Sequence, residues 1–286
     1  AALAAFAAPY DGVRPECPPG TLRITQISAG TWGDCYLIFA PDDSVTLLDT
    51  SHKPHEVLLP VLRRFGISRL RQVIISHPHS DHFDSLPALL KDRSIAVGRV
   101  LWSPIGPELI RAMARREKNP KPGLETADHN EKIIAEFTAA ANHRRIPIIE
   151  VRTGDIIEFG GGAKAEVLIS VRSEVEQPFN FINNNSMVFR LTYGEFSILF
   201  TGDMGFEQEK ALLETGRPLR SDALKVPHHG GGQNSGIDFI RAVDPQIAVV
   251  STFPYLLEKW GKPVRDRYES LKIPYYPSCE YPDITI

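Results

Sequence analysis

Six residues, His77-Pro78-His79-Ser80-Asp81-His82, follow directly on the apolar run Val73-Ile74-Ile75, and this junction constrains the chain more than any other feature. A strand ending in a tight turn here presents three imidazoles and a carboxylate together, a donor set that borderline divalent metals such as zinc take up. His77 and His79, two apart, project to one side of an extended segment. Asp81 and His82, past the turn, point toward a second cation close by. A solvated His-rich loop is the competing reading. The position at a strand end, where rigid elements hold functional loops, argues for a built metal site instead.

The arrangement resembles the signature of the metallo-β-lactamase superfamily, in which His-x-His-x-Asp-His follows a buried strand. The resemblance implies that His77 and His79 hold one metal and that Asp81 and His82 serve the second. It also calls for a bridging carboxylate and one more histidine, each after a later strand. Ser197-Ile198-Leu199-Phe200-Thr201-Gly202-Asp203 supplies Asp203 as the bridge. Ala223-Leu224-Lys225-Val226-Pro227-His228-His229-Gly230 supplies His228 as a ligand of the second metal, with Gly230 to Gly232 allowing close backbone approach. Asp81 is also expected to orient the attacking water or accept its proton. His229 is expected either to hydrogen-bond the substrate and protonate the leaving group, or to be structural.

A narrower resemblance rests on the wording of the motifs. Asn184 to Leu191, Leu199 to Asp203 and Leu224 to Gly230 are similar to successive motifs of the C-terminal metallo-β-lactamase-like domain of the ComEC family, bacterial competence proteins that pass DNA through the membrane. Gly33-Asp34 before Tyr36-Leu37-Ile38, and Leu47-Leu48-Asp49-Thr50, match that family's Gly-Asp turn and Ile-Asp-Thr strand end. The similarity runs over about residues 22 to 286.

Two departures shape the expected site. Where most superfamily members carry a further histidine before the strand at Ser186 to Leu191, this chain reads Ile182-Asn183-Asn184-Asn185. An amide, a hydroxyl or water is expected there, which makes the site richer in oxygen. Two Zn2+ ions are the expected cofactors, with Mn2+ as the alternative. Asn185 and Ser186 become candidate substrate-binding residues. Where the competence domains read Tyr-Gly-His-Pro, this chain has Trp260-Gly261-Lys262-Pro263. Lys262 is no ordinary neutral ligand, but its ammonium can hold a phosphate.

The coarse pattern predicts an α/β chain built as an αββα sandwich of two mixed sheets flanked by helices, in a single domain over residues 1–286. Short apolar strands are expected at Leu22 to Gln26, Cys35 to Phe39, Val45 to Leu48 and Val73 to Ile75. A second half of similar plan runs from Ala165 to a last helix near Val264 to Lys272. A chain of 286 residues with 42% hydrophobic content buries roughly three quarters of its unfolded surface, enough for a double sheet without disulfide staples. Residues 1–21 form an N-terminal extension and residues 103–150 a helical insertion near the site, with helices over Pro107 to Glu117 and Ala127 to His143.

A net charge of −3 excludes a global positive field that would draw in a polyanion. Nucleic-acid binding must then be local, and Arg111, Arg115, Arg116, Lys118 and Lys121 in the insertion are the best phosphate track, against the plainer reading of a solvated helix face. Asp49 is expected to order a loop or a ligand's second nitrogen. The small-residue start, Ala1 to Pro9, is too short to span a bilayer and fits the end of an export signal. Cys17 and Cys279 would form a terminal bridge in a secreted or periplasmic protein, whereas Cys35 reads as core. A cytoplasmic location is the alternative.

The function expected from these features is metal-dependent hydrolysis by a metal-bridging hydroxide, with a phosphodiester, including single-stranded DNA, as substrate. Hydrolysis of a small ester, lactone or lactam, and a non-catalytic metal-binding module, stand as the alternatives.

Overall fold

A computed structural model of the chain describes residues 18–27, 33–171, 180–281 and 284–286. The first half runs through β1 (Arg23–Gln26), β2 (Tyr36–Phe39), β3 (Val45–Leu48), α1 (Leu59–Arg64), the short β4 (Arg69–Leu70), β5 (Gln72–Ile75), α2 (Ser80–Phe83), α3 (Leu86–Lys91), β6 (Ala96–Val97) and β7 (Val100–Trp102). Two helices follow, α4 (Pro107–Ala114) and α5 (Lys121–Arg144), and then β8 (Ile148–Glu150). The second half comprises β9 (Ile156–Gly160), β10 (Ala163–Ile169), β11 (Val188–Tyr193), β12 (Phe196–Phe200), α6 (Phe206–Glu214) and β13 (Ala223–Lys225). It closes with α7 (Ile237–Val243), β14 (Ile247–Val250), α8 (Pro254–Leu256), α9 (Lys262–Ser270) and β15 (Tyr275–Pro277).

These strands form a six-stranded sheet in the order β1-β2-β3-β5-β7-β8 and a seven-stranded sheet in the order β15-β14-β13-β12-β11-β10-β9. Each sheet begins with antiparallel neighbours and ends with three parallel pairings, β3/β5/β7/β8 in one and β12/β13/β14/β15 in the other. The two halves therefore share one plan. Side chains on β2 alternate as the pleat requires. Tyr36 and Ile38 meet Phe159, Phe189 and Phe200 between the sheets, whereas Leu37 and Phe39 face outward to α1, α3 and α5. On the other side α6, α7 and α9 cover the second sheet through Leu212, Phe239, Ile240, Val264 and Tyr268. Four layers, helix, sheet, sheet, helix, give the αββα sandwich that the apolar runs predict.

The main differences from the sequence reading lie in short elements. β7, β8, β9 and β15 are three to five residues long and had no assignment. β8 occupies Ile148–Glu150, so the last residues of the expected insertion belong to the sheet. α5 begins at Lys121, before the expected Ala127, because Pro122 in its first turn has the φ a helix start needs. Gly123 on α5 lies against α4 so closely that a Cβ there would come within 2.6 Å of the Ala114 Cβ. Ile105, Ile110, Met113, Ala127, Phe181 and Ile182 form a small separate core that fixes this helical pair beside the loop before β11. Among the described residues no helix is long and apolar enough to cross a membrane.

Candidate metal centre

β5 lies inside its sheet between β3 and β7, so the turn from Ser76 to His82 emerges at a sheet end with both neighbours in place. The loop after β3 comes up beside it. There Asp49, in the left-handed region at φ 55°, a conformation Asp tolerates better than most residues, turns its carboxylate onto the motif. Its Oδ1 accepts from the Ser76 amide at 2.7 Å, and its Oδ2 accepts from the Ser76 hydroxyl at 2.7 Å and from His82 Nδ1 at 2.9 Å.

These bonds assign the tautomers. The Ser76 proton goes to Asp49, so the Ser76 oxygen accepts from His77 Nδ1 at 3.0 Å. The Nε2 of His77 is thereby left without a proton, and the Nε2 atoms of both His77 and His82 are aimed inward. One buried carboxylate thus orients two imidazoles, one directly and one through Ser76. Asp49→Asn is expected to weaken metal binding about 10- to 100-fold, in the range found for partners that orient ligands. Competition against a chromogenic chelator measures this, and unchanged affinity would remove Asp49 from the role.

The inward atoms converge. Ligand atoms of Asp81, His82, Asp203 and His229 all lie within 4.8 Å of one another. Asp203 Oδ2 stands 3.2 Å from His82 Nε2, 3.3 Å from His229 Nε2 and 3.9 Å from His77 Nε2. Asp81 Oδ2 is 3.0 Å from His229 Nε2. His79 completes the group from the other side, its Nδ1 3.2 Å from His77 Nε2. Asp203 follows Gly202, which sits at φ 51° with no room for a side chain, since a Cβ would fall 2.6 Å from that of Ser186. The Ser186 hydroxyl then accepts from the Asp203 amide at 2.9 Å and sets the turn.

Electrostatics separate these groups into two sets. Burial pushes His77 well below the usual imidazole range and His79 down to about 4, so both are neutral donors of a lone pair. Burial also opposes charge on His82 and His229, but the carboxylates Asp203 and Asp81 prevail there and raise both, His229 to about 10. The same pairing outweighs burial at Asp203 and Asp81, whose carboxyls are held well below their usual range. Without a cation, protons on His82 and His229 balance the two carboxylates. The donor set, imidazole nitrogens and carboxylate oxygens with their second nitrogens already engaged, fits divalent metal ions.

Of the expected ligands, His77, His79, Asp81, His82 and Asp203 come together. His228 and His229 stand in reversed places. Both residues have left-handed backbone, φ 47° and 52°, and the double twist swings His229 inward, where Nδ1 donates to the Ser251 carbonyl at 2.9 Å and Nε2 meets Asp81 and Asp203. His228 is half-buried, with Nε2 3.3 Å from the Asn183 side-chain nitrogen. Asn183 occupies the stretch that lacks the further histidine, and its buried Oδ1 makes no hydrogen bond. Asn185 instead donates to the Phe181 carbonyl at 2.9 Å, and Ser186 is engaged with the Asp203 turn. Lys262 is exposed, and both oxygens of Asp266 hold its ammonium at 2.7–2.8 Å. No contact brings it to the cluster.

The helical pair braces the motif. Asn130 of α5 donates to the Pro78 carbonyl at 2.8 Å, and His129 meets Asp84 at 2.8 Å. A cavity of about 130 Å³ opens beside His79, walled by Ile110, Met113, Phe181 and Ile182 with Glu117 in its lining. The expected phosphate track is shorter than predicted: Arg111 is engaged by Glu108, Asp128 and Glu131, and Lys121 lies 3.7 Å from Glu125, which leaves the exposed Arg115, Arg116 and Lys118. The buried Cys35 and the half-buried Cys279 form no disulfide among the described residues, while Cys17 and the residues behind the export reading lie outside them. Two buried groups of the centre, Lys225 and Asp34, had no role in the sequence reading. An apolar run around a single lysine was the available signal.

Comparison with known proteins agrees with this geometry. Residues 33–165 match the family model described as "Metallo-beta-lactamase superfamily". The chain is 28% identical over 197 residues to ComE operon protein 3 of Bacillus subtilis, a match that covers 68% of this chain and 22% of that protein, so the chain spans about a fifth of its relative. Among solved structures, Igni18, a metallo hydrolase from Ignicoccus hospitalis, superposes with a TM-score of 0.54 at 12% identity, over 92% of this chain and 97% of the other. A diphosphatase of the PhnP family superposes with a TM-score of 0.51 at 13% identity, over 93% and 97%. At such identities the superpositions speak for the fold.

Proposed function

We propose that this chain, which is similar to the metallo-β-lactamase superfamily, is a metal-dependent hydrolase whose substrate is a phosphodiester, with single-stranded DNA as the polymeric candidate. The observation that carries the reading is the convergence of Asp81, His82, Asp203 and His229 within 4.8 Å, with His77 and His79 alongside. Two divalent ions held there would acidify a coordinated water and offset charge on the attacked centre.

The residues of the chain then divide the work. His77 and His79 hold one position, Asp81, His82 and His229 the other, and Asp203 lies between them. Asp81, the most exposed of these carboxylates, is placed to receive a proton from the attacking water. His228, half-buried and next to the cluster, is the candidate to hydrogen-bond the substrate or its leaving group. Its neighbour Asn183 brings an amide oxygen where other superfamily members have imidazole, which supports an oxygen-rich first position and keeps manganese beside zinc as a cofactor. Preference for a phosphodiester rests on the similarity to ComE operon protein 3 and on the cations Arg115, Arg116 and Lys118 at the end of α4, next to the cavity.

The test is protein reconstituted with Zn2+ or Mn2+ and assayed on single-stranded DNA and a chromogenic phosphodiester, with His79→Ala as control. Turnover that needs the metal and falls by about 10³-fold in the variant is expected. Absence of metal-dependent turnover on both substrates would remove the phosphodiesterase reading. The apolar walls of the cavity favour one second reading, a small acyl substrate, and turnover of a lactone or nitrocefin in the same preparations would select it.

A further inference from the structure

Among the described residues Lys225 is the one buried lysine. It ends β13, and its ammonium lies 2.5 Å from Asp34 Oδ2, donates to the Gly202 carbonyl at 2.7 Å and reaches Asp203 Oδ1 at 3.4 Å. The two oxygens of Asp203 are therefore divided. Oδ1 faces the ammonium, and Oδ2 faces His82, His229 and His77. Asp34 is itself fully buried, on the turn before β2, and places a second carboxylate on the same cation.

We propose that Lys225 is a positioning residue that, anchored by Asp34, occupies one oxygen of Asp203 so that the other alone is presented between the two metal positions. The proposal rests on the hydrolase reading above and deepens it. A carboxylate with both oxygens free can close on a single cation in bidentate fashion. With Oδ1 tied to an ammonium, only Oδ2 remains to be shared. The ammonium is suited to this task because its donors are already aimed at Asp34, the Gly202 carbonyl and Asp203, and an ammonium offers no lone pair with which to compete as a ligand. The net charge of the site also follows, since the pair Lys225 and Asp34 sums to zero and leaves Asp203 and Asp81 to face the cations.

A purely structural Lys225, present only to neutralise Asp34, makes a different prediction, and a double variant separates the two. Lys225→Met leaves Asp34 buried without a partner and is expected to destabilise the protein. Lys225→Met with Asp34→Asn removes both charges, so the fold should recover. On the present proposal its affinity for the second equivalent of Zn2+, measured by calorimetry, stays about 10- to 100-fold weaker than in the unaltered protein, and kcat falls while KM changes little. A double variant with unaltered affinity and kcat overturns it.

A metal-loaded crystal structure of the unaltered protein decides the matter if neither variant folds. Asp203 Oδ1 on Lys225 with Oδ2 on metal supports the proposal, and Oδ1 on metal overturns it. Failure of the hydrolase reading is distinct, because the unaltered protein itself would then show no metal-dependent turnover, whatever its metal affinity.

Discussion

Asp203→Ala is expected to abolish turnover and the binding of at least one metal equivalent. Among the described residues Asp203 is the one carboxylate within 4 Å of His77, His82 and His229 at once. Losing it removes the group shared by both metal positions, and loss of one member of such a catalytic unit costs on the order of 10⁴-fold in turnover. The metal-free protein should suffer as well, since the buried Lys225 loses one of its two carboxylate partners. Asp203→Asn, nearly isosteric, separates the effects of shape and charge. Metal content by elemental analysis and turnover on the preferred substrate are the measurements. A variant that keeps two equivalents and a tenth of the activity would place the bridge elsewhere.

The second large effect concerns pH. His229 is raised to about 10 in the folded protein, and His82 is raised well above its usual value, both by Asp203 and Asp81 against the opposing effect of burial. A raised imidazole contributes stability that is fully present below its unfolded pKa of about 6.5 and is lost as pH climbs through the folded value. Metal-free protein should therefore lose stability steadily from about pH 6.5 toward pH 10.

Metal binding runs the other way, because a cation must displace the protons on both Nε2 atoms. Where both imidazoles are protonated, each unit of pH should raise the association constant by about 100-fold, one factor of ten for each of two protons expelled, and by about tenfold where only one is. Calorimetry in buffers of different ionisation enthalpy counts those protons. A count near zero would show that His82 and His229 are already neutral and that the carboxylates do not hold charge as described.

The motif His77 to His82 was legible because its ligands are contiguous and the apolar run before it announces a strand end. Asp203 was legible for the same reason, as the first acidic residue after Phe196–Phe200. Of the strands, β9 carried a readable alternation, Ile157 and Phe159 in and Ile156 and Glu158 out, but β7 and β8 are too short for any period to register. The exchange of His228 for His229 was not readable. Continuing a strand outward points to the first histidine, and only the two left-handed residues reverse that direction. The basic track in the insertion was legible as charge but not as free charge, since the carboxylates that engage Arg111 come partly from α5, seventeen and twenty residues on.

From the primary order alone came the resemblance to the superfamily, the sandwich and five of the six side chains that the fold gathers into one cluster, since each rests on a local pattern of hydropathy and donor type. Tertiary structure alone decided which of two adjacent histidines turns inward, which two imidazoles Asp49 orients, and that Lys225 and Asp34 sit beside Asp203. Those assignments depend on backbone twist and on contacts between residues 22 to 191 positions apart, for which no local pattern of residues carries a signal.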